Sequence, residues 1–321
     1  ETFGYTKDYF IVIYLMAIPY LLANALNPLV RADGNPHLSM LMVGAGAIGN
    51  IILDWLFVIE LGMGTMGAAL ATGAGVIFST IIGLWYFLSG KSHVKFHKKY
   101  FKIDKELLKD IFKIGFVSFM IQISIGVVIL VQNVILYQYG NTADIAIFCV
   151  TGYVISLYTQ LCVGMSQGMQ PLIGCHYGAN QIKRMHKLLQ ITLVASVMTS
   201  IVALLALIFY GEYFIRLYGI AENLLDLAYN RTITFCLGIP FIGIVYTMGA
   251  YYQALNRNIE ANIVSIGRSF VLQILFSLTL PAFMGVEGVF YAQPFSDIGS
   301  IFILIGVMLY CHMKAKNKKV A

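Results

Sequence analysis

The sequence predicts an all-α polytopic membrane protein: a two-lobe parallel six-helix repeat, with about nine of twelve transmembrane helices present. Three observations predict it: composition, the distribution of basic residues and an internal repeat. Of 321 residues, 59% are apolar and 11% charged, where a soluble domain carries about 25% charged residues. So few charges cannot clothe a water-facing surface, and bilayer is the natural solvent for such a chain. A soluble enzyme is excluded, and the net charge of +6 is better explained by membrane topology than by nucleic acid.

Stretches of about 20 mostly apolar residues can cross a bilayer. They fall at 9–30, 38–59, 65–89, 110–138, 144–174, 188–210, 224–250, 260–283 and 286–312. If nine spans alternate sides, one side holds Arg31, the lysines from Lys91 to Lys113, Lys183, Arg184, Lys187, Arg257, Arg268 and the lysines from Lys314 onward. The other holds only Lys7, Arg216 and Arg231. The crowded side is expected to be cytoplasmic, with the carboxyl end on it. Five cysteines show no metal spacing and read as small buried hydrophobes.

The repeat divides the chain. Gly64 and Gly67 in GMGTMGAALAT (62–72) align with Gly285 and Gly288 in FMGVEGVFYAQ (283–293). Upstream, Ala32–Asp33–Gly34–Asn35–Pro36 faces Ala254–Leu255–Asn256–Arg257–Asn258. The first three spans thus match the last three, as in transporters built from parallel repeats. Residues 1–90 are read as the second half of an amino-terminal lobe and 110–321 as a carboxyl-terminal lobe of six spans. Residues 91–109 are read as a basic cytoplasmic linker with a short amphipathic helix near Asp104–Asp110. Three further helices are expected ahead of this stretch.

Asp54 lies inside the second span, and an ionisable group at membrane depth is costly and functional by default. Asn50 is one turn earlier on the same face, and Asn24 and Asn27 lie late in the first span. Their oxygens suit a hard cation such as sodium, and the carboxylate could equally carry a proton. A structural role for Asp54, capping or pairing with a nearby loop, is the alternative. In the fifth span Tyr153, Ser156, Gln160, Gln167 and Gln170 share one helical face. Gln122, Gln132 and Asn133 add amides in the fourth. These residues suit the wall of a substrate cavity, or polar contacts between helices. Tyr246 is a stacking candidate for a flat cation, with Tyr251 and Tyr252 read as interfacial. Gln293 and Asp297, one turn apart in the last span, form a second proton or cation candidate, or a structural hydrogen bond.

Four stretches carry a resemblance: NPLVRADGNPH (27–37), NIILDWLFVIELGMGTMGAALAT (50–72), QGMQPLIGCHYGAN (167–180) and QALNR (253–257). They resemble the multidrug and toxic compound extrusion (MATE) transporters, as helices four to twelve of that family's two six-helix lobes. The resemblance implies an antiporter that expels organic cations in exchange for sodium or protons by alternating access, with no other cofactor. Its partners would be small organic cations and membrane lipids, in the plasma membrane, and it is expected to work as a monomer. The family's amino-lobe cation site implies a role for Asn50, Asp54 and Asn24. Acids that one branch carries on its seventh and tenth helices are missing here, which shifts weight to Asp54. A flippase of lipid-linked saccharides is the alternative; it wants basic residues deep in a cavity, and no Lys or Arg is read as deep in a span.

Overall fold

The structure is a computed structural model that describes residues 2–94 and 104–320. Every regular element among the described residues is helical. Among the described residues, eight helical stretches are long and apolar enough to cross a membrane, or nine if a bent pair is one span. The chain forms two compact units, Glu1–Asp104 and Lys105–Ala321.

The first unit holds α1 (Thr2–Leu15), α2 (Ala17–Ala32), α3 (Pro36–Asp54) and α4 (Gly64–Leu88), with a π-helical turn over Trp55–Glu60 extending α3. The first predicted span is not one straight rod, because its two helices meet at 53° around Met16. Pro19 explains the break: it has no N–H to offer the carbonyl four residues back, Leu15, and its ring crowds that carbonyl. Farther on, α2 and α3 are clamped side by side. The Asn27 amide donates to Ser39 O at 2.8 Å and its Oδ1 accepts from Ser39 Oγ at 3.0 Å and from Arg31 Nη2 at 2.9 Å. At the end of α4, Tyr86 donates to Asp33 at 2.8 Å, and the His93 N–H donates to the same oxygen at 3.1 Å. The Tyr86 hydrogen bond, with help from Ser92 and His93, holds the Asp33 carboxyl below its usual range.

The second unit comprises α5 (Lys105–Tyr139), α6 (Thr142–Gly178), α7 (Ile182–Leu217), α8 (Leu225–Cys236), α9 (Ile239–Ala254), α10 (Asn258–Ile266), α11 (Gln273–Met284) and α12 (Val286–Val320). A second π-helical turn, Gly267–Leu272, joins α10 to α11. The helix expected near Asp104–Asp110 is not separate. It is the first two turns of α5, and most of the remaining linker, 95–103, lies outside the described residues. Helices α6 and α7 outrun the apolar spans read from hydropathy, since backbone hydrogen bonding continues where hydrophobicity stops. Tyr251 and Tyr252, read as interfacial, are instead buried in the core with Met169, Met185 and Met248.

The backbone reproduces the repeat residue by residue. Gly64 and Gly285, the paired first glycines, have φ of 55° and 58°, a left-handed conformation that L side chains rarely adopt. Their partners are both sites of close approach. A Cβ on Gly67 would lie 3.1 Å from the Phe57 carbonyl carbon, and one on Gly288 would lie 2.5 Å from that of Leu280. Each glycine pair therefore turns the chain into a helix and then packs that helix on the end of the preceding one. The upstream loops agree as well: Gly34 (φ 92°) and Asn256 (φ 57°) both end a helix in the left-handed region. Asn35 N donates to Val30 O as Arg257 N donates to Tyr252 O, the Schellman closure of a helix end. The α6–α7 loop closes the same way around Asn180, so the glycine pairs are the more specific sign of duplication.

Candidate ion and substrate sites

In the first unit the site is built by a close helix crossing. Helices α3 and α4 meet at Gly46 and Gly75, where a Cβ on Gly75 would lie 2.5 Å from Gly46 O and 3.1 Å from Asn50 Cβ. Small residues at such a crossing let backbones approach where no hydrophobic effect draws helices together in lipid. The approach brings Asn50 of α3 to Thr72 of α4, with Nδ2 to Oγ1 at 3.5 Å. The Thr72 hydroxyl donates to Ala68 O at 2.9 Å, so its lone pairs remain available to accept. One turn beyond Asn50, Asp54 ends α3 where the π-helical turn begins. Such turns widen a helix and occur frequently at functional sites. Asp54 Oδ1 is buried and has no hydrogen-bond partner, which is costly for a carboxylate.

Other residues predicted for this site fall elsewhere. Asn24 is exposed on α2 and its amide donates to Tyr20 O, its own helix, at 2.8 Å. The clamp with Ser39 and Arg31 occupies both ends of the Asn27 amide. Thr72 was missed by sequence reasoning. It lies within the quoted stretch 50–72, but only the Gly46–Gly75 crossing shows that it faces Asn50.

In the second unit the polar face of α6 stays open on the surface. Tyr153, Ser156, Gln160 and Gln167 are exposed, and Tyr153 stacks on Tyr218 with 5.7 Å between ring centroids. Gln170 reaches Gln253 of α9 at 3.3 Å. In α5, Gln122 is exposed and Asn133 half-buried, whereas Gln132 is buried and donates to Ser277 at 3.1 Å. Gln132 therefore joins α5 to α11 instead of lining an open wall.

Asp297 differs most from expectation. It has no exposed surface and accepts from Arg268 Nε at 2.7 Å and from Gln293 Nε2 at 3.1 Å. Arg268 therefore lies in the middle of the span Asn258–Met284, not at a loop end as its place in the charge count assumed. Tyr246 sits beside this pair, with the guanidinium 5.5 Å from its ring centroid. One basic residue, Arg268, thus lies deep in a span, contrary to expectation, and Asp297 neutralises it. Sequence held a signal: opposite charges inside two consecutive antiparallel spans. A second cluster that was missed, Arg231 with Asp144 and Glu287, ties α8 to the starts of α6 and α12.

Residues 116–279 match the family model described as MatE. The chain belongs to the MatE family. Among curated MatE relatives, the multidrug export protein MepA of Staphylococcus saprophyticus is 28% identical over 286 residues, covering 87% of this chain and 63% of that protein. MepA of Staphylococcus aureus strain MSSA476 is 28% identical over 298 residues, covering 91% and 64%. The chain thus spans somewhat under two thirds of the length of these relatives. Solved structures share the fold. A MATE crystal structure in complex with MaL6 aligns with TM-score 0.86 at 20% identity, covering 96% of this chain and 70% of the other. An outward-facing multidrug resistance MATE family transporter of the MOP superfamily aligns with TM-score 0.86 at 19% identity, covering 98% and 70%.

Proposed function

We propose that the protein is a secondary active antiporter that exports organic cations in exchange for sodium or protons, with Asp54, Asn50 and Thr72 holding the coupling ion. The observation that carries this reading is the buried, unpartnered Oδ1 of Asp54. A hard cation or a proton supplies what that oxygen lacks. Carboxylate, hydroxyl and amide oxygens are the donors a sodium ion takes, and rotation of the Asn50 amide would turn its Oδ1 to the same side. The names of the MepA relatives support multidrug export as the activity.

Ion binding can drive export only if it favours one arrangement of the protein over another. Asp54 sits where an α-helix gives way to a π-helical turn, two backbone arrangements that an ion at the junction could discriminate between. The exposed amides and rings of α6, with Gln122 and Asn133 of α5, are the surface assigned to substrate. The asymmetric loop charge supports a cytoplasmic carboxyl end, and we take the protein to be a multi-pass monomer among the lipids of the plasma membrane.

Asp54→Asn is the test. Efflux of a fluorescent cationic dye from energised cells should fall to background while the variant is present at wild-type level. Persistence of sodium- or proton-driven efflux in Asp54→Asn would overturn the assignment.

A further inference from the structure

Asp54 and Asp297 are held in opposite ways. Asp54 is left with an open oxygen, whereas Asp297 is held by three donated hydrogen bonds: one from Arg268 Nε at 2.7 Å and two from Gln293 Nε2, at 3.1 Å to each oxygen. Gly238, at the break between α8 and α9, packs closely on the same carboxylate, and a Cβ there would collide with it. The carboxylate therefore lies against the amino end of α9, where the helix dipole favours negative charge.

Arg268 is aimed by design of the backbone. It is the second residue of the π-helical turn Gly267–Leu272. Its side chain is only 11% exposed, and its carbonyl accepts from Ser296 Oγ of α12 at 2.9 Å. The guanidinium is thus fixed at both backbone and side chain. The other titratable groups that interact with the pair are the phenols of Tyr158 and Tyr246 and the thiols of Cys162 and Cys236.

We propose that Arg268 is a built-in counter-cation that keeps Asp297 out of ion coupling, standing where a mobile sodium ion or proton would otherwise bind. Asp54 then binds the exchangeable ion and Asp297 carries a fixed one, so each chain couples through one site. The inference rests on Asp54 as the coupling group. It makes Arg268 a specificity-determining residue for coupling: removing the guanidinium creates a second ion site instead of destroying the first.

The experiment uses the full-length protein, purified and reconstituted, with radioactive sodium binding and infrared difference spectra of carboxyl groups as readouts. Arg268→Gln should gain one bound proton or sodium ion per chain, seen as a new protonated-carboxyl band near neutral pH or as doubled sodium binding. The gain should vanish in Arg268→Gln/Asp297→Asn and be absent in Arg268→Lys, which keeps the charge. It should survive in Arg268→Gln/Asp54→Asn, which separates it from the Asp54 reading: if Asp54→Asn alone keeps wild-type ion binding, that reading fails by itself. A folded Arg268→Gln with no added ion or proton overturns the proposal. If Arg268→Gln does not fold, the neutral double variant decides. Wild-type ion dependence of its efflux supports the proposal, and loss of ion-driven efflux in that folded variant overturns it.

Discussion

Arg231→Met is expected to lower the thermal stability of the protein sharply. The Arg231 side chain is 8% exposed and donates from Nη1 to Asp144, itself 8% exposed. Its Nε also donates to Glu287 at 2.8 Å, and the guanidinium lies 5.0 Å from the Phe290 ring centroid. Asp144 cannot swing away when the arginine is lost, because it is part of the capping box of α6 and accepts from Asn141 N at 2.8 Å. Removing one partner of a buried pair costs about 3–5 kcal/mol, because a bare charge stays behind. That is a large share of the roughly 5–15 kcal/mol that holds a typical protein together.

Arg231→Lys should be intermediate, since a point charge cannot reach two carboxylates in the way a guanidinium fork does. Arg231→Met/Asp144→Asn should recover part of the loss. Thermal melts and size-exclusion profiles of the detergent-solubilised variants check this order. A monodisperse Arg231→Met that melts with the wild type would show that the cluster does not hold α6, α8 and α12 together.

The sequence made some of this molecule legible for definite reasons. Spans are legible because every backbone polar group in a bilayer must be satisfied locally, so long apolar stretches have few alternatives to helix. The repeat was legible at Gly64, Gly67, Gly285 and Gly288 because positive φ and close backbone approach both demand glycine. The bend at Met16 was not read, although Pro19 was visible, because membrane helices tolerate many prolines and neighbours decide which ones break. Asp54 stood out by its depth alone. Thr72 did not, since a threonine is ordinary in a membrane helix and becomes notable only when a crossing places it against Asn50. Arg268 was misplaced for a related reason. Counting loop charges assumes that basic residues sit at the ends of spans, and a guanidinium neutralised by Asp297 escapes that constraint.

Gly75→Val should weaken ion coupling more than it weakens the fold. Its new methyl groups must enter the space between Gly75 and Gly46 O, where even a Cβ would lie at 2.5 Å. The neighbour there is backbone, so relief requires α3 and α4 to move apart. Overpacking of this kind costs about 1–3 kcal/mol, which a protein stable by roughly 5–15 kcal/mol survives. Separation of the helices also carries Asn50 away from Thr72. An ion that needs both must then restore the close crossing, and its binding is weakened by the strain of doing so. A penalty of about 1–3 kcal/mol corresponds to roughly 5–150-fold in affinity. Half-saturation of efflux by the coupling ion should rise by that factor, with a smaller rise for Gly46→Ala, whose Cβ would lie 2.9 Å from Gly75 O. Gly83→Ala is the control. Its Cβ would meet the end of the Met42 side chain at 2.7 Å, a flexible thioether that can yield, and Leu26 Cβ at 3.0 Å, which belongs to α2 and not to the α3–α4 crossing. An unchanged ion dependence in Gly75→Val, or an equal shift in Gly83→Ala, would mean that the crossing does not set the geometry of the ion site.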